Sequence, residues 1–198
     1  ALLSIVIPTL NAAGGLRRTL DSIAAVTEDL PCEVIVADGG SVDDTDLIAE
    51  DCGAIFLETR RGRGWQLGEG AKAAAGDWLL FLHADTVPRD GWAPVVSAFM
   101  ADPSNRRRAS YFQFALDDNA PGARWLEHMV AYRSGLMGLP YGDQGLLISR
   151  EFYEDLGGFK PMPLMEDVDL VRRISRARLA VLDAVAVTSA ERYRRDGY

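Results

Sequence analysis

The residues able to do chemistry in this chain are few, and most fall at the ends of apolar runs. The clearest are His83-Ala84-Asp85, which follow Trp78-Leu79-Leu80-Phe81-Leu82. Five large apolar residues without alternation predict a strand buried on both faces, as in a sheet covered by helices. In open α/β sheets, ligands bind just beyond the carboxyl ends of the strands. A carboxylate carried there, Asp85, can reach a divalent metal on a nucleotide diphosphate. The alternative is a capped turn in which Asp85 bonds nearby backbone N–H groups. His83 has the same two readings, a phosphate partner or a cap for the strand end. Asp38 closes a second apolar run, Glu33-Val34-Ile35-Val36-Ala37, and can meet a base or ribose edge or form a turn with Gly39-Gly40-Ser41. The segment Arg60-Arg61-Gly62-Arg63-Gly64-Trp65-Gln66 joins glycines, which let backbone approach a ligand, to a helix start that favours anions. Arg63 could pair with phosphate or stack on a base.

A second set lies late in the chain. Leu164-Met165-Glu166-Asp167-Val168-Asp169-Leu170 puts three carboxylates at a helix start. Capping and the helix dipole account for part of that. Helical spacing separates them: Asp167 shares a face with Leu170, Val171 and Ile174 and points inward, whereas Asp169 shares one with Arg172 and Arg173 and reads as a solvated ion-pair residue. An acid heading an apolar face is placed as a general base would be. Tyr141-Gly142-Asp143-Gln144-Gly145 is a loop that serves either as a turn or as a contact for a second substrate.

The elements that must position these groups follow from the pattern. Strands are expected over residues 2–8, 33–37, 54–57 and from 78, alternating with a helix after Asn11 whose apolar face is Leu16, Leu20, Ile23 and Val26 or Ala24, and with helices over 43–51 and 65–75. Asn11 is the expected cap of the first helix. That alternation argues for a parallel sheet with right-handed crossovers. After Pro88 the pattern is mixed: helices at 92–100, 121–137, 150–156 and 166–177, and strands at 110–116, 146–148 and 181–187.

Composition narrows the function. The chain has 198 residues, of which 48% are hydrophobic, and a net charge of −8. That is enough for one globular domain with a real core, and too acidic for nucleic-acid binding as the main role. Cys32 and Cys52 form no metal-spaced motif and read as small core residues in a reducing compartment. No apolar run reaches the ~18–20 residues of a membrane span, and Ala1-Leu2-Leu3 lacks a basic leader region. The expected location is cytoplasmic, either free or peripheral at the inner face of the membrane. The first strand is not followed by the G-x-G-x-x-G of a dinucleotide site, which argues against a dehydrogenase.

Taken together, the motifs resemble the family 2 glycosyltransferases with their GT-A fold. The resemblance rests on Ile5-Val6-Ile7-Pro8-Thr9-Leu10-Asn11, on Val34-Ile35-Val36-Ala37-Asp38-Gly39-Gly40-Ser41 with Asp43 and Thr45, on residues 76–85, on Leu156-Gly157-Gly158-Phe159 and on the Glu166-Asp167 pair. It implies an α/β fold with a mostly parallel central sheet flanked by helices, in a single glycosyltransferase domain. Residues 1–88 would bind a nucleotide-diphospho-sugar and 89–198 would supply the acceptor side. Pro8, Thr9 and Asn11 would line the nucleotide pocket, with Asp38 on the base, Arg63 and His83 near base or phosphate, and Asp85 on Mg²⁺ or Mn²⁺. Asp167 would be the catalytic base, and Tyr141, Asp143, Gln144 and Glu166 would face the acceptor, a lipid or a small molecule. The usual D-x-D metal motif reads His83-Ala84-Asp85 here, with one carboxylate fewer. The implied reaction is inverting sugar transfer to a hydroxyl. The alternatives are a nucleotidylyltransferase and a catalytically silent nucleotide-sugar-binding protein.

Overall fold

A computed structural model describes residues 1–118, 121–137, 144–162 and 165–190. Tyr141 and Asp143 lie outside the described residues. The first half alternates as expected: β1 (Leu3–Thr9), α1 (Ala13–Ala24), β2 (Cys32–Asp38), α2 (Thr45–Asp51), β3 (Ile55–Glu58), α3 (Arg63–Ala73) and β4 (Trp78–Phe81). A short strand β5 (Thr86–Pro88) and helix α4 (Trp92–Ala101) follow. The rest comprises β6 (Ala109–Leu116), α5 (Pro121–Met137), β7 (Leu146–Ser149), α6 (Arg150–Asp155), α7 (Glu166–Ile174) and β8 (Leu179–Thr188).

The strands form one eight-stranded sheet in the order β3-β2-β1-β4-β7-β6-β8-β5. The first four are parallel neighbours. Beyond them β7 pairs antiparallel with both β4 and β6, β8 runs parallel to β6, and β5 closes that edge antiparallel to β8. The second half therefore extends the same sheet. β5 has no counterpart among the expected strands, since three residues ending in proline carry no period, and their partners are Ala186–Thr188, about a hundred positions away.

β4 sits between β1 and β7, and all five residues of Trp78–Leu82 are buried. Its side chains alternate between two cores. Trp78 and Leu80 join Ile5, Ile7, Leu16, Leu20, Trp92 and Phe112 on the side of α1 and α4. Leu79 and Phe81 join Val6, Leu67, Ile148, Phe152 and Leu170 on the side of α3, α6 and α7. Each large side chain so buried is worth roughly 1.5–3 kcal/mol against exposure. Gly70 lets α3 lie close on β1, because a Cβ there would be 2.4 Å from a Val6 methyl. Arg150 ties the end of α3 to the sheet, donating to the carbonyls of Ala71, Ala74 and Gly76. No helix among the described residues is long and apolar enough to cross a membrane.

Candidate active site

The loops at the carboxyl ends of β1 and β2 are stitched into one rigid rim. Asp38 is 3% exposed, and each of its oxygens accepts two hydrogen bonds. The Thr9 hydroxyl and Ser41 hydroxyl reach one oxygen, and the backbone N–H groups of Gly40 and Ser41 reach the other. Burial alone would push this carboxyl up, but the hydrogen bonds from Ser41, Thr9 and Gly40 hold it below the usual carboxylate range. Thr9 and Asp38 thus hold the rim, and their side chains are turned into the protein.

Asn11 does not cap α1, which begins two residues later with Ala12 as its cap. The helix is capped from the other loop instead. The N–H of Ala12 donates to the Thr45 hydroxyl at 2.9 Å, and that of Ala13 donates to the Asp43 carboxylate at 3.0 Å. Asn11 takes a left-handed backbone (φ 52°) and accepts from the N–H of Val42.

Gln66 fastens the rim to α3. Its buried amide donates to the carbonyls of Thr9 and Ala37 at 2.6 and 2.9 Å. Arg63 opens this helix with its guanidinium partly exposed. Gly64 follows, and its N–H donates to the carbonyl of Met162 at 3.1 Å. A Cβ on Gly64 would sit 2.2 Å from the Lys160 carbonyl oxygen, so only glycine permits this contact.

His83-Ala84-Asp85 does not continue β4. It is a turn between β4 and β5 whose three carbonyls are all taken by the protein. Thr86 N–H donates to His83, the Thr19 hydroxyl to Ala84 and Ser189 N–H to Asp85. Helix α1 packs against it, with the Cβ position of Gly15 3.3 Å from the Ala84 carbonyl. Backbone so anchored leaves the exposed Asp85 side chain with a fixed origin at the cleft wall.

Two spaces meet at this turn. An open cleft of about 770 Å³, within the range of small-molecule sites, is lined by Pro8, Asn11, Arg63, His83 and Asp85 among others. A smaller, partly open chamber of about 20 Å³, room for a single water, is lined by His83, Glu166 and Asp167 within an apolar wall that includes Phe81 and Phe159. His83 belongs to both. Five of the predicted nucleotide-side residues are therefore brought together in the cleft, and Thr9 and Asp38 support it from behind.

Helix α7 supplies the acids. Met165, with a left-handed backbone (φ 65°), turns the chain into it. Glu166 is 1% exposed and is more deeply buried than Asp167, a difference the helical period alone did not reveal. Its Oε1 lies 3.8 Å from Arg63 Nε, and its Oε2 has no hydrogen-bond partner. Burial holds the Glu166 carboxyl above the usual carboxylate range against the pull of its own backbone N–H and of Arg63, and Asp167 pushes it up further. Asp167 lines the chamber and accepts from the N–H of Val168. Asp169 is the ion-pair residue expected, bonded to Lys160 and Arg173 at 2.9 and 2.6 Å. Gln144, expected on the acceptor side, is 2% exposed and reaches the Phe112 carbonyl at 3.4 Å. The sequence reading missed Arg18, Asp117 and Ser189 in the cleft wall. Asp117 follows β6 directly, so the strand-end rule that singled out Asp85 could have found it.

The sequence profile of the family described as Glycosyl transferase family 2 matches residues 4–132. The chain belongs to this family. Pre-mycofactocin glycosyltransferase of Mycobacterium tuberculosis (strain ATCC 25618 / H37Rv) is 28% identical over 189 residues, covering 88% of this chain and 39% of that protein. A PGL/p-HBAD biosynthesis glycosyltransferase of Mycobacterium bovis (strain BCG / Pasteur 1173P2) is 40% identical over 94 residues, covering 42% and 35% respectively. The family 2 chain described here thus spans about two fifths or less of the length of these curated relatives. A crystal structure of glucosyl-3-phosphoglycerate synthase from Mycobacterium tuberculosis, in complex with Mn²⁺, UDP and glucosyl-3-phosphoglycerate, has a TM-score of 0.67 at 23% identity. That match covers 94% of this chain and 70% of the other. The shared architecture is the GT-A fold, an α/β fold with a mostly parallel sheet flanked by helices.

Proposed function

We propose that this chain transfers a sugar from a nucleotide-diphospho-sugar to an acceptor hydroxyl, with inversion and with Asp167 as the general base. The observation that carries the reading is the meeting of the two spaces at His83. A cleft walled by strand-end loops and Arg63 adjoins a chamber that holds Asp167. The diphosphate would lie in the cleft against Arg63 and the Asp85 turn, and the sugar would point toward His83 and Asp167. The acceptor oxygen gives its proton to the Asp167 carboxylate and bonds to the anomeric carbon. The carbon–oxygen bond to the diphosphate breaks, and the nucleoside diphosphate departs with the bonding electrons.

A divalent metal fits this donor set. Among the described residues no three His, Cys, Asp or Glu side chains converge on a metal site. The exposed Asp85 carboxylate stands on an anchored turn at the cleft wall. A hard cation held by one protein carboxylate takes its other ligands from phosphate oxygens and water, as Mg²⁺ does on nucleotides. When bound, Mg²⁺ or Mn²⁺ would neutralise the leaving diphosphate. Mn²⁺, Mg²⁺ and UDP accompany the solved synthase with the same fold. The acceptor class is left between a lipid and a small molecule.

The test is a panel of nucleotide sugars titrated by calorimetry with Mn²⁺, followed by release of nucleoside diphosphate in the presence of candidate acceptors. At least one donor should bind. Asp167→Asn should keep that affinity while transfer falls by about a hundredfold or more, the usual scale of general-base assistance. Failure of every donor to bind would overturn the reading. Binding without turnover by the unaltered protein would favour a nucleotide-sugar-binding role.

A further inference from the structure

Glu166 is used by none of the steps above, yet it lines the chamber and faces Arg63, which lines the cleft. Among the described residues it is the carboxylate with a buried oxygen lacking any hydrogen-bond partner. Its other oxygen is 3.8 Å from Arg63 Nε, close enough for attraction and too long for a hydrogen bond. Both backbones flanking that gap are fixed. Gly64 is locked onto the chain at Lys160 and Met162, and the left-handed Met165 immediately precedes Glu166. A buried, half-satisfied carboxylate is costly, and it calls for a partner that arrives or a proton that neutralises it. Arg63 is the cation facing it, and Arg63 also lines the cleft.

We propose that docking of a diphosphate on Arg63 and protonation of Glu166 are one coupled event, making Glu166 a proton-linked positioning residue for Arg63. This rests on the reading that the cleft holds a diphosphate. In the free protein Arg63 divides its charge between the cleft and Glu166. An incoming diphosphate draws the guanidinium outward and adds negative charge nearby. Both effects disfavour the buried carboxylate, which takes a proton from solvent. The neutral acid then offers an O–H donor inside the chamber and removes a like charge beside Asp167. The titratable or charged groups facing Glu166 are Arg63 on α3, His83 on the turn after β4 and Asp167 on its own helix. Lys160, Asp169 and Arg173 are engaged with one another.

The direction of the linkage is fixed. Below the free-protein pKa of Glu166 the acid is already neutral, and affinity is level. Between that value and the higher pKa of the ligand-bound state a proton is taken up, so affinity falls with rising pH by up to tenfold per unit for one proton, and it levels off again above both. In Glu166→Gln that fall should vanish, leaving only slopes common to both proteins, such as that of the ligand phosphate.

The experiment is calorimetric titration with UDP, GDP, ADP and CDP, each with Mn²⁺, in two buffers of different ionisation heat between about pH 5 and 8, which counts protons taken up on binding. The unaltered protein should take up more protons than Glu166→Gln, and Arg63→Met should lose both affinity and the excess uptake. Equal proton counts in the unaltered protein and Glu166→Gln would overturn the coupling while leaving the proposed function standing. If Glu166→Gln fails to fold, the unaltered protein and Arg63→Met decide, and an uptake absent from the first or unchanged in the second overturns the proposal. Absence of binding by any of the four nucleotides would overturn the donor reading and this coupling together.

Discussion

Replacing Gly64 by alanine should damage both stability and the site, and the magnitude can be worked from the contact it makes. The new Cβ would lie 2.2 Å from the carbonyl oxygen of Lys160 and 2.7 Å from both the nitrogen and oxygen of Met162. All three are backbone atoms, so no side chain can swing aside. Overpacking costs about 1–3 kcal/mol, and loss of the Gly64–Met162 hydrogen bond adds about 0.5–1.5 kcal/mol. Alanine returns about 0.5–1 kcal/mol by its better helix propensity, leaving a net loss of roughly 0.5–4 kcal/mol. Gly68, one turn along the same helix, is the control: its nearest atom is the Phe159 carbonyl oxygen at 3.8 Å, an ordinary contact. Gly68→Ala should therefore be neutral or stabilise by up to about 1 kcal/mol. Urea denaturation of the two variants reads the difference, and the Gly64 variant should also bind the donor more weakly, because Arg63 is its immediate neighbour. A Gly64→Ala protein with an unchanged denaturation midpoint would refute the claim that this backbone contact fixes Arg63 against Glu166.

Asp38 should make the rim sensitive to acid. Its folded carboxyl lies below the unfolded value, so its contribution is present above about pH 3.9 and is lost as pH falls through the lower folded value. Asp38→Asn should flatten that acid limb in a thermal-melt series and cost about 1–3 kcal/mol at neutral pH, since an amide NH₂ would face donors. Arg150→Ala should cost about 2–4 kcal/mol in urea by stranding the carbonyls of Ala71, Ala74 and Gly76, with donor affinity retained. Asp169→Asn breaks only partly exposed ion pairs to Lys160 and Arg173 and should cost at most about 1 kcal/mol. Its transfer rate should stay near that of the unaltered protein, in contrast to Asp167→Asn.

The parts of the fold governed by local pattern were legible in the sequence. Unbroken apolar runs marked β1, β2 and β4, and the span of α5 follows from Pro121 and the helical period. Long-range pairing was not legible. Nothing in Leu146–Ser149 says that it inserts between β4 and β6, and the α1 cap comes from Asp43 and Thr45, some thirty residues away. The candidate site divides the same way. Residue type at strand ends pointed to Pro8, Asn11, His83 and Asp85, which line one cleft. Whether a polar side chain faces a ligand or its own loop depends on neighbours brought together only by folding. Asp38 turns inward because Thr9, Gly40 and Ser41 meet its carboxylate, and Glu166 is buried where Asp167, its neighbour on the same helix, is partly exposed.

The central claim is that the donor diphosphate lies in the cleft at Asp85 and Arg63 with its sugar facing Asp167. A crystal structure of this chain with Mn²⁺ and a nucleotide sugar that binds it tests this most directly. The account predicts the metal on Asp85, a diphosphate oxygen paired with Arg63 and the anomeric carbon on the side of His83 and Asp167. A donor seated outside the cleft, or one whose sugar points away from Asp167, would contradict it.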